Sequence, residues 1–147
     1  VSAENGGIVE TVSIVEPWLY ATLSADPVLA GLVGDRISGT LSTVTLGTPY
    51  VSFLLQSPLD IVGVGGVRIS TDNLYVVKAV AQSSSWDEVI PIAERIDYLI
   101  HRPNSVMTEA RGSLSCVRER PYQQPEVDGG LQYRHLGGVY RIRASAD

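Results

Sequence analysis

The sequence predicts an α+β fold: a mostly antiparallel sheet, two main helices packed on it, and a protruding β-hairpin arm. Three patterns carry this. Residues 73–82 are apolar almost throughout, as a central strand covered on both faces requires. Residues 86–101 repeat apolar side chains at helical spacing. Gly65-Gly66 lies between two aliphatic segments, the signature of a two-residue hairpin turn. The length of 147 residues predicts a single domain spanning 1–147, and 44% hydrophobic with 18% charged residues is globular composition.

The elements follow in order. Val1–Gly7 reads as a loose arm; Val1 to Glu10 carries no positive charge and no apolar core, so no signal peptide is expected. Ile8, Val12, Val15, Leu19 and Leu23 repeat at spacings of four and three, one helical face. Pro17 would cost a helix interior about 3 kcal/mol, so the helix is expected to begin near Glu16 with Pro17 in its first turn. Asp26 then caps a short second helix that has Pro27 at its first position and ends at Gly34. Arg36-Ile37 opens an extended piece, and 38–48 is a polar loop. Residues 50–56 form a strand that Ser57-Pro58 breaks.

Asp60 to Thr71 is the arm. With Gly65-Gly66 as the turn, Val64 faces Val67 and Val62 faces Ile69. Directly opposed residues share a side, so these four aliphatics make one apolar face; Gly63 with Arg68 and Ile61 with Ser70 take the other. A two-stranded arm is marginal alone in water and needs cover, from its own domain or from a partner. After the 73–82 strand, Ser85 and Glu88 have capping-box spacing. The helix stripe is Trp86, Val89, Ile90, Ala93, Ile96, Leu99 and Ile100, with Pro91 in its first two turns. Strands are expected at 112–120 and 131–144, separated by a loop from Pro121 to Gly130. Gly137-Gly138 marks a bulge or a turn in the last strand.

The residues of chemistry are sparse. His101 and His135 are far apart and have no metal-ligand neighbours in sequence. No G-x-S-x-G elbow is present. Cys116 lies in a strand with Arg118 two residues on; a structural thiol outweighs an activated one there. Gly63-Val-Gly-Gly-Val-Arg68 departs from a dinucleotide loop because Arg68 replaces the last glycine and no helix follows. No catalytic residue, cofactor or metal is expected, and no apolar run reaches the length of a membrane helix.

The net charge is −5, with a lone basic residue, Arg36, in residues 1–60. That balance argues against a sequence-specific nucleic-acid binder. Ten of the eleven basic residues are arginine, with Lys78 the exception; arginine suits interface ion pairs, although a coding bias yields the same count. On the last strand, Arg141 and Arg143 share a face by period two, either a contact stripe or a solvated face; Arg134 lies upstream.

The segment Trp18-Leu-Tyr-Ala-Thr-Leu-Ser-Ala-Asp-Pro-Val-Leu-Ala-Gly-Leu-Val-Gly-Asp-Arg-Ile37, followed by Thr48-Pro-Tyr-Val-Ser-Phe53, resembles the opening of the tail terminators and tail-completion proteins of long-tailed phages. The matching pattern is a helix ending in L-x-A-D, then L-x-x-L-V-G-x-R-I, a variable loop, and P-Y-V-x-F. The resemblance implies a structural virion protein that assembles in the host cytoplasm. It would form a homo-oligomeric ring of about six subunits at the head–tail junction. Such a ring caps the head-proximal end of the tail tube, ends tube growth and meets the head connector or neck protein, with DNA passing through its lumen. Val62, Val64, Val67, Ile69, Arg68, Arg141 and Arg143 are the candidate assembly interface. Related readings are a neck or head-completion subunit, a monomeric adaptor binding peptides at a sheet edge, and a cryptic hydrolase using Cys116 or a serine.

Overall fold

The computed structural model describes residues 10–39 and 47–146, so the expected N-terminal arm and most of the 38–48 loop lie outside the described residues. A π-helical turn, Thr11–Val15, leads into α1 (Glu16–Ser24) and α2 (Pro27–Val33). Then come β1 (Ile37–Gly39), β2 (Tyr50–Val62), β3 (Arg68–Gln82), α3 (Val89–Ile100), β4 (Met107–Glu109), β5 (Gly112–Asp128) and β6 (Leu131–Ala146). The six strands form one sheet in the order β1-β2-β3-β6-β5-β4. β1 runs parallel to β2, and every other pairing is antiparallel. The α+β expectation holds, and the 73–82 strand is central, between β2 and β6.

α1 begins at Glu16 with Pro17 in its first turn, as the proline requires. The chain already coils before it, because the Glu16 N–H reaches back to the carbonyl of Thr11. This widened turn sits directly ahead of Pro17, whose ring crowds the carbonyl four residues back. It also rotates the buried face. Ile14, Val15, Trp18, Leu19 and Leu23 are buried, while Val12 is exposed rather than part of the apolar face. α2 is capped as expected, with the Leu29 N–H donating to Asp26 Oδ2 at 2.8 Å.

α3 begins three residues later than its stripe implies. The Ser85 hydroxyl accepts from the Asp87 N–H, two residues on, and Glu88 makes no side-chain cap bond, so the capping box does not form. The later start makes Pro91 the third helical residue, where a missing N–H leaves no bond unmade. The buried face is Val89, Ile92, Ile96 and Ile100; Ile90, expected inside, is exposed, and Trp86 lies in the turn before the helix.

All three helices lie on one face of the sheet. That face carries Val51 and Phe53 from β2, Tyr75, Val77, Ala79 and Ala81 from β3, and Tyr140, Ile142 and Ala144 from β6. The segment from Trp18 to Phe53 supplies Trp18, Leu19, Leu23, Leu29, Val33, Ile37, Val51 and Phe53 to this core, so its apolar positions are packing positions. Tyr75 and Tyr140 stand opposite each other in the β3–β6 register. Tyr75 donates to Glu16 Oε2 (3.0 Å) and Tyr140 to Asp97 Oδ1 (2.8 Å), pinning α1 and α3 to the sheet. Burial pushes both phenols well above their usual range, so they stay protonated donors.

Two strands run past their expected ends. β2 continues through Ser57-Pro58 to Val62, with a register shift between Leu55 and Ser57. β5 continues through Pro121 and Pro125 to Asp128, so the expected 121–130 loop is strand, closed by a turn at Gly129-Gly130. The reason is shared. Among the described residues, β1 pairs with β2 only at 51–53 and β4 with β5 only at 112–114, so beyond those points both are edge strands there, where proline removes no ladder bond. β6 runs unbroken through Gly137-Gly138; the irregularity is in β5, between Arg118 and Arg120. Gly137 has another reason to be glycine. A Cβ there would lie 2.1 Å from the Val77 carbonyl oxygen and 2.6 Å from Lys78 Cα, so β3 and β6 approach too closely for any side chain.

Gly137→Ala should therefore destabilise by about 3 kcal/mol. Gly31→Ala, in α2 with nothing within 4 Å of an added Cβ, should stabilise by about 0.5–1 kcal/mol. Urea unfolding of the two variants checks both signs. A second expectation concerns Asp26, which also holds the Arg95 guanidinium through two bonds of 2.7 and 2.9 Å. These bonds keep its carboxyl below the ordinary range against the effect of burial. The stabilisation is present above the unfolded value of about 3.9 and lost as pH falls through the lower folded value. Asp26→Asn keeps a capping oxygen but no charge. Wild type should be the more stable at pH 7, and the gap should close towards pH 3 in thermal melts.

Candidate assembly interface

β2 and β3 run on beyond the body as a hairpin. Among the described residues, from Asp60 to Ser70 this arm is paired only with itself along the sheet, since β3 first meets β6 at Thr71. Ser145 anchors its root by donating a hydroxyl bond to the Ile69 carbonyl at 3.2 Å. Val62, Val67 and Ile69 are 54%, 56% and 58% exposed, and Val64, at the tip, is fully exposed. The body therefore leaves these side chains uncovered.

The turn is longer than two residues. Val64–Gly66 forms a single 3-10 turn, and the Gly63 N–H donates to the Val67 carbonyl at 2.7 Å. Gly65 and Gly66 both have positive φ, which makes glycine suitable there. A register shift between Ile61 and Val62 pairs Val62 with Arg68, not with Ile69. Ile69 instead sits over Gly63, where an added Cβ would lie 2.7 Å from its Cδ1. The expected single face of four aliphatics is thus divided: Val62 shares a side with Arg68, and Ile69 sits with Gly63. Ile61 opposes Ser70 as expected. Arg68 lies 3.8 Å from Asp60 across the strands.

Arg141 and Arg143 do not join the arm tip. Both belong to an ion network on the sheet face away from the helices. Arg141 donates to Asp72 Oδ2 at 2.7 Å and grips Glu119 through two bonds, and Arg143 Nε lies 3.5 Å from the same Asp72 oxygen. Asp72 is buried. Glu119 is the residue in β5 at the register shift, so the irregularity brings its carboxylate to Arg141. The Arg141 bonds hold the Glu119 carboxyl below its usual range. The sequence reading of a contact stripe missed this network, because Asp72 and Glu119 lie on different strands and only the register joins them to Arg141.

A cleft of about 510 Å³ opens between α3 and the β5–β6 hairpin. Its lining includes Ile90, Ala93, Tyr98, Pro121 and Leu136, with Glu94 and Asp97 on α3 and Arg118 on β5. Tyr98 is 71% exposed. The sequence signal for it was the misplaced Ile90: an apolar residue of the helix stripe that the core does not use.

The candidate chemical groups have structural partners. Cys116 is buried in the core, and burial pushes its thiol well above the ordinary range, away from nucleophilic reactivity. His101 Nδ1 accepts from the Arg118 N–H at 2.9 Å, and His135 Nε2 lies 2.7 Å from Glu126 Oε1. Burial lowers the His135 pKa, with the Glu126 carboxylate opposing. Among the described residues, no group of three or more His, Cys, Asp or Glu is placed to hold a metal, and no helix is long and apolar enough to cross a membrane.

No protein-family model and no curated protein matches the chain. In fold, it is similar to a chain of a solved structure, the virion of native gene transfer agent (GTA) particle. The TM-score is 0.69 at 20% identity, over 87% of this chain and 92% of that one. At this identity the likeness is one of fold.

Because the arm tip contributes nothing to its own core, the double variant Val64→Asp/Val67→Asp should unfold within about 0.5 kcal/mol of wild type. In the same variant, Cys116 should stay unreactive to a thiol reagent until denaturant exposes it. Thermal melts and a thiol-labelling time course check the two expectations.

Proposed function

We propose that the chain is a structural subunit of a virion. Within that class we assign it as a tail-completion subunit, a tail terminator. Copies form a ring of about six that caps the head-proximal end of a tail tube, ends tube growth and meets the head connector. The observation that carries the reading is the arm: a rooted hairpin whose aliphatic side chains are left in water by a body that has its own complete core. Exposed apolar surface on a rigid projection is what a subunit needs to join neighbours. Two further findings support it. The fold is similar over almost its full length to a chain of the GTA virion, and the segment from Trp18 to Phe53 resembles the tail-terminator opening.

The role requires binding alone, with no cofactor and no turnover. The partners are further copies of the chain, the tail-tube protein and the connector, in the host cytoplasm during assembly and at the head–tail junction afterwards. The fold likeness serves a neck or head-completion subunit equally; addition of tube protein separates the two. Beyond Arg118 the outer edge of β5 has no partner strand among the described residues, which supports the peptide-adaptor reading; that reading requires a monomer.

Light scattering on the purified chain, with and without tail-tube subunits, tests this. Six copies of 15.8 kDa give about 95 kDa. A species of that mass, alone or seeded by tubes, is expected. A ring indifferent to tubes but captured by connector protein would move the assignment to the neck. A monomer under both conditions would overturn the ring.

A further inference from the structure

We propose that the arm tip of one copy docks in the cleft between α3 and the β5–β6 hairpin of the next copy; this rests on the ring reading above. The arm cannot fill its own cleft. In the β3–β6 register the cleft residue Gly137 faces Lys78, ten residues along β3 from Arg68. At about 3.3 Å per residue, tip and cleft are about 33 Å apart. A surface and its complement held at opposite ends of one rigid sheet meet only between molecules. That is a heterologous contact, the kind that closes into rings.

The two surfaces correspond in chemistry. The tip offers Val64 and Val67, and the cleft offers Ile90, Ala93, Tyr98 and Leu136. The cleft carries Glu94 and Asp97 on the α3 side and Arg118 on the β5 side, where Arg118 lies 3.9 Å from Asp97. The arm carries opposite charges on its two strands, Arg68 on β3 and Asp60 on β2. Seating the tip with β3 towards α3 sets Arg68 against Glu94 and Asp60 against Arg118; the reversed seating opposes like charges. Charge thus selects one orientation while the aliphatics supply the burial.

The test uses two full-length variants, each losing one half of the contact. Val64→Asp/Val67→Asp removes the tip, and Ile90→Glu/Tyr98→Glu removes the cleft at two exposed positions. Each alone should be monomeric with a wild-type melting temperature. Mixed in equal amounts they should give a dimer, twice 15.8 kDa, and no ring, because one intact tip and one intact cleft remain. A mixture that stays monomeric while wild type forms rings would overturn the assignment and send the arm to another surface, the tube protein included. Rings formed by the cleft variant alone would do the same. Wild type that never assembles, even with tubes, would instead sink the ring reading itself. A second measurement covers a variant that fails to fold. Val64→Cys/Glu94→Cys rings, oxidised with Cys116 still buried, should yield a covalent ladder of multimers that neither single variant yields; intact rings without a ladder would count against the proposal.

Discussion

The structure depends on the register between β3 and β6, and two buried tyrosines hold that register. Tyr75 and Tyr140 face each other at the centre of the sheet, and each places its hydroxyl on a carboxylate of a different helix. A one-residue slip of either strand would swing its tyrosine to the other face, leave Glu16 or Asp97 without its donor, and undock a helix. The same register sets Gly137 against the Val77 carbonyl, where no other residue fits. It also brings Arg141 and Arg143 to Asp72. A single alignment therefore fixes the core, the tightest backbone approach and the ion network together.

With that centre fixed, the strands are free to be long. β2 and β5 both outrun their outer neighbours, and their prolines sit in the stretches where a missing N–H costs no ladder bond. Such prolines also blunt an edge against indiscriminate pairing. The result is a helix-covered body with the β2–β3 hairpin, tipped by Val64–Gly66, projecting from one end, while the β5–β6 turn at Gly129-Gly130 closes at the other end, where β6 is paired with β3 as far as Tyr133. The body holds its fold with buried Leu, Ile, Val and Tyr, and the arm leaves Val62, Val64, Val67 and Ile69 exposed.

Several elements were legible in the chain itself. Asp26-Pro27 specified the cap and first residue of α2, and the apolar run from Asn73 to Gln82 specified a central strand, because local chemistry decides both. Most of the errors trace to contacts distant in sequence. Pro58, Pro121 and Pro125 read as breaks because whether a proline costs a hydrogen bond depends on the neighbouring strand, which the sequence does not display. Ser85 and Glu88 had the spacing of a capping box, but the serine closed a tighter turn two residues on. Val62 and Ile69 looked opposed because a bulge between Ile61 and Val62 leaves no mark in an aliphatic segment. Arg141 and Arg143 looked like a free stripe because Asp72 and Glu119, far away in sequence, were invisible as their partners.

The sequence by itself determined the fold class, the central strand, the amphipathic helices and the existence of an apolar hairpin turning at Gly65-Gly66. Each of these follows from periodicity and turn chemistry, which act over a few residues. Only the tertiary structure decided which aliphatics the hairpin shows and which arginines are bound within the chain. It also decided that an exposed cleft lies on the far side of the body from the arm. Those features arise from strand register and edge position, and they are set by contacts between residues tens of positions apart, where the free energy of pairing, not the local pattern, makes the choice.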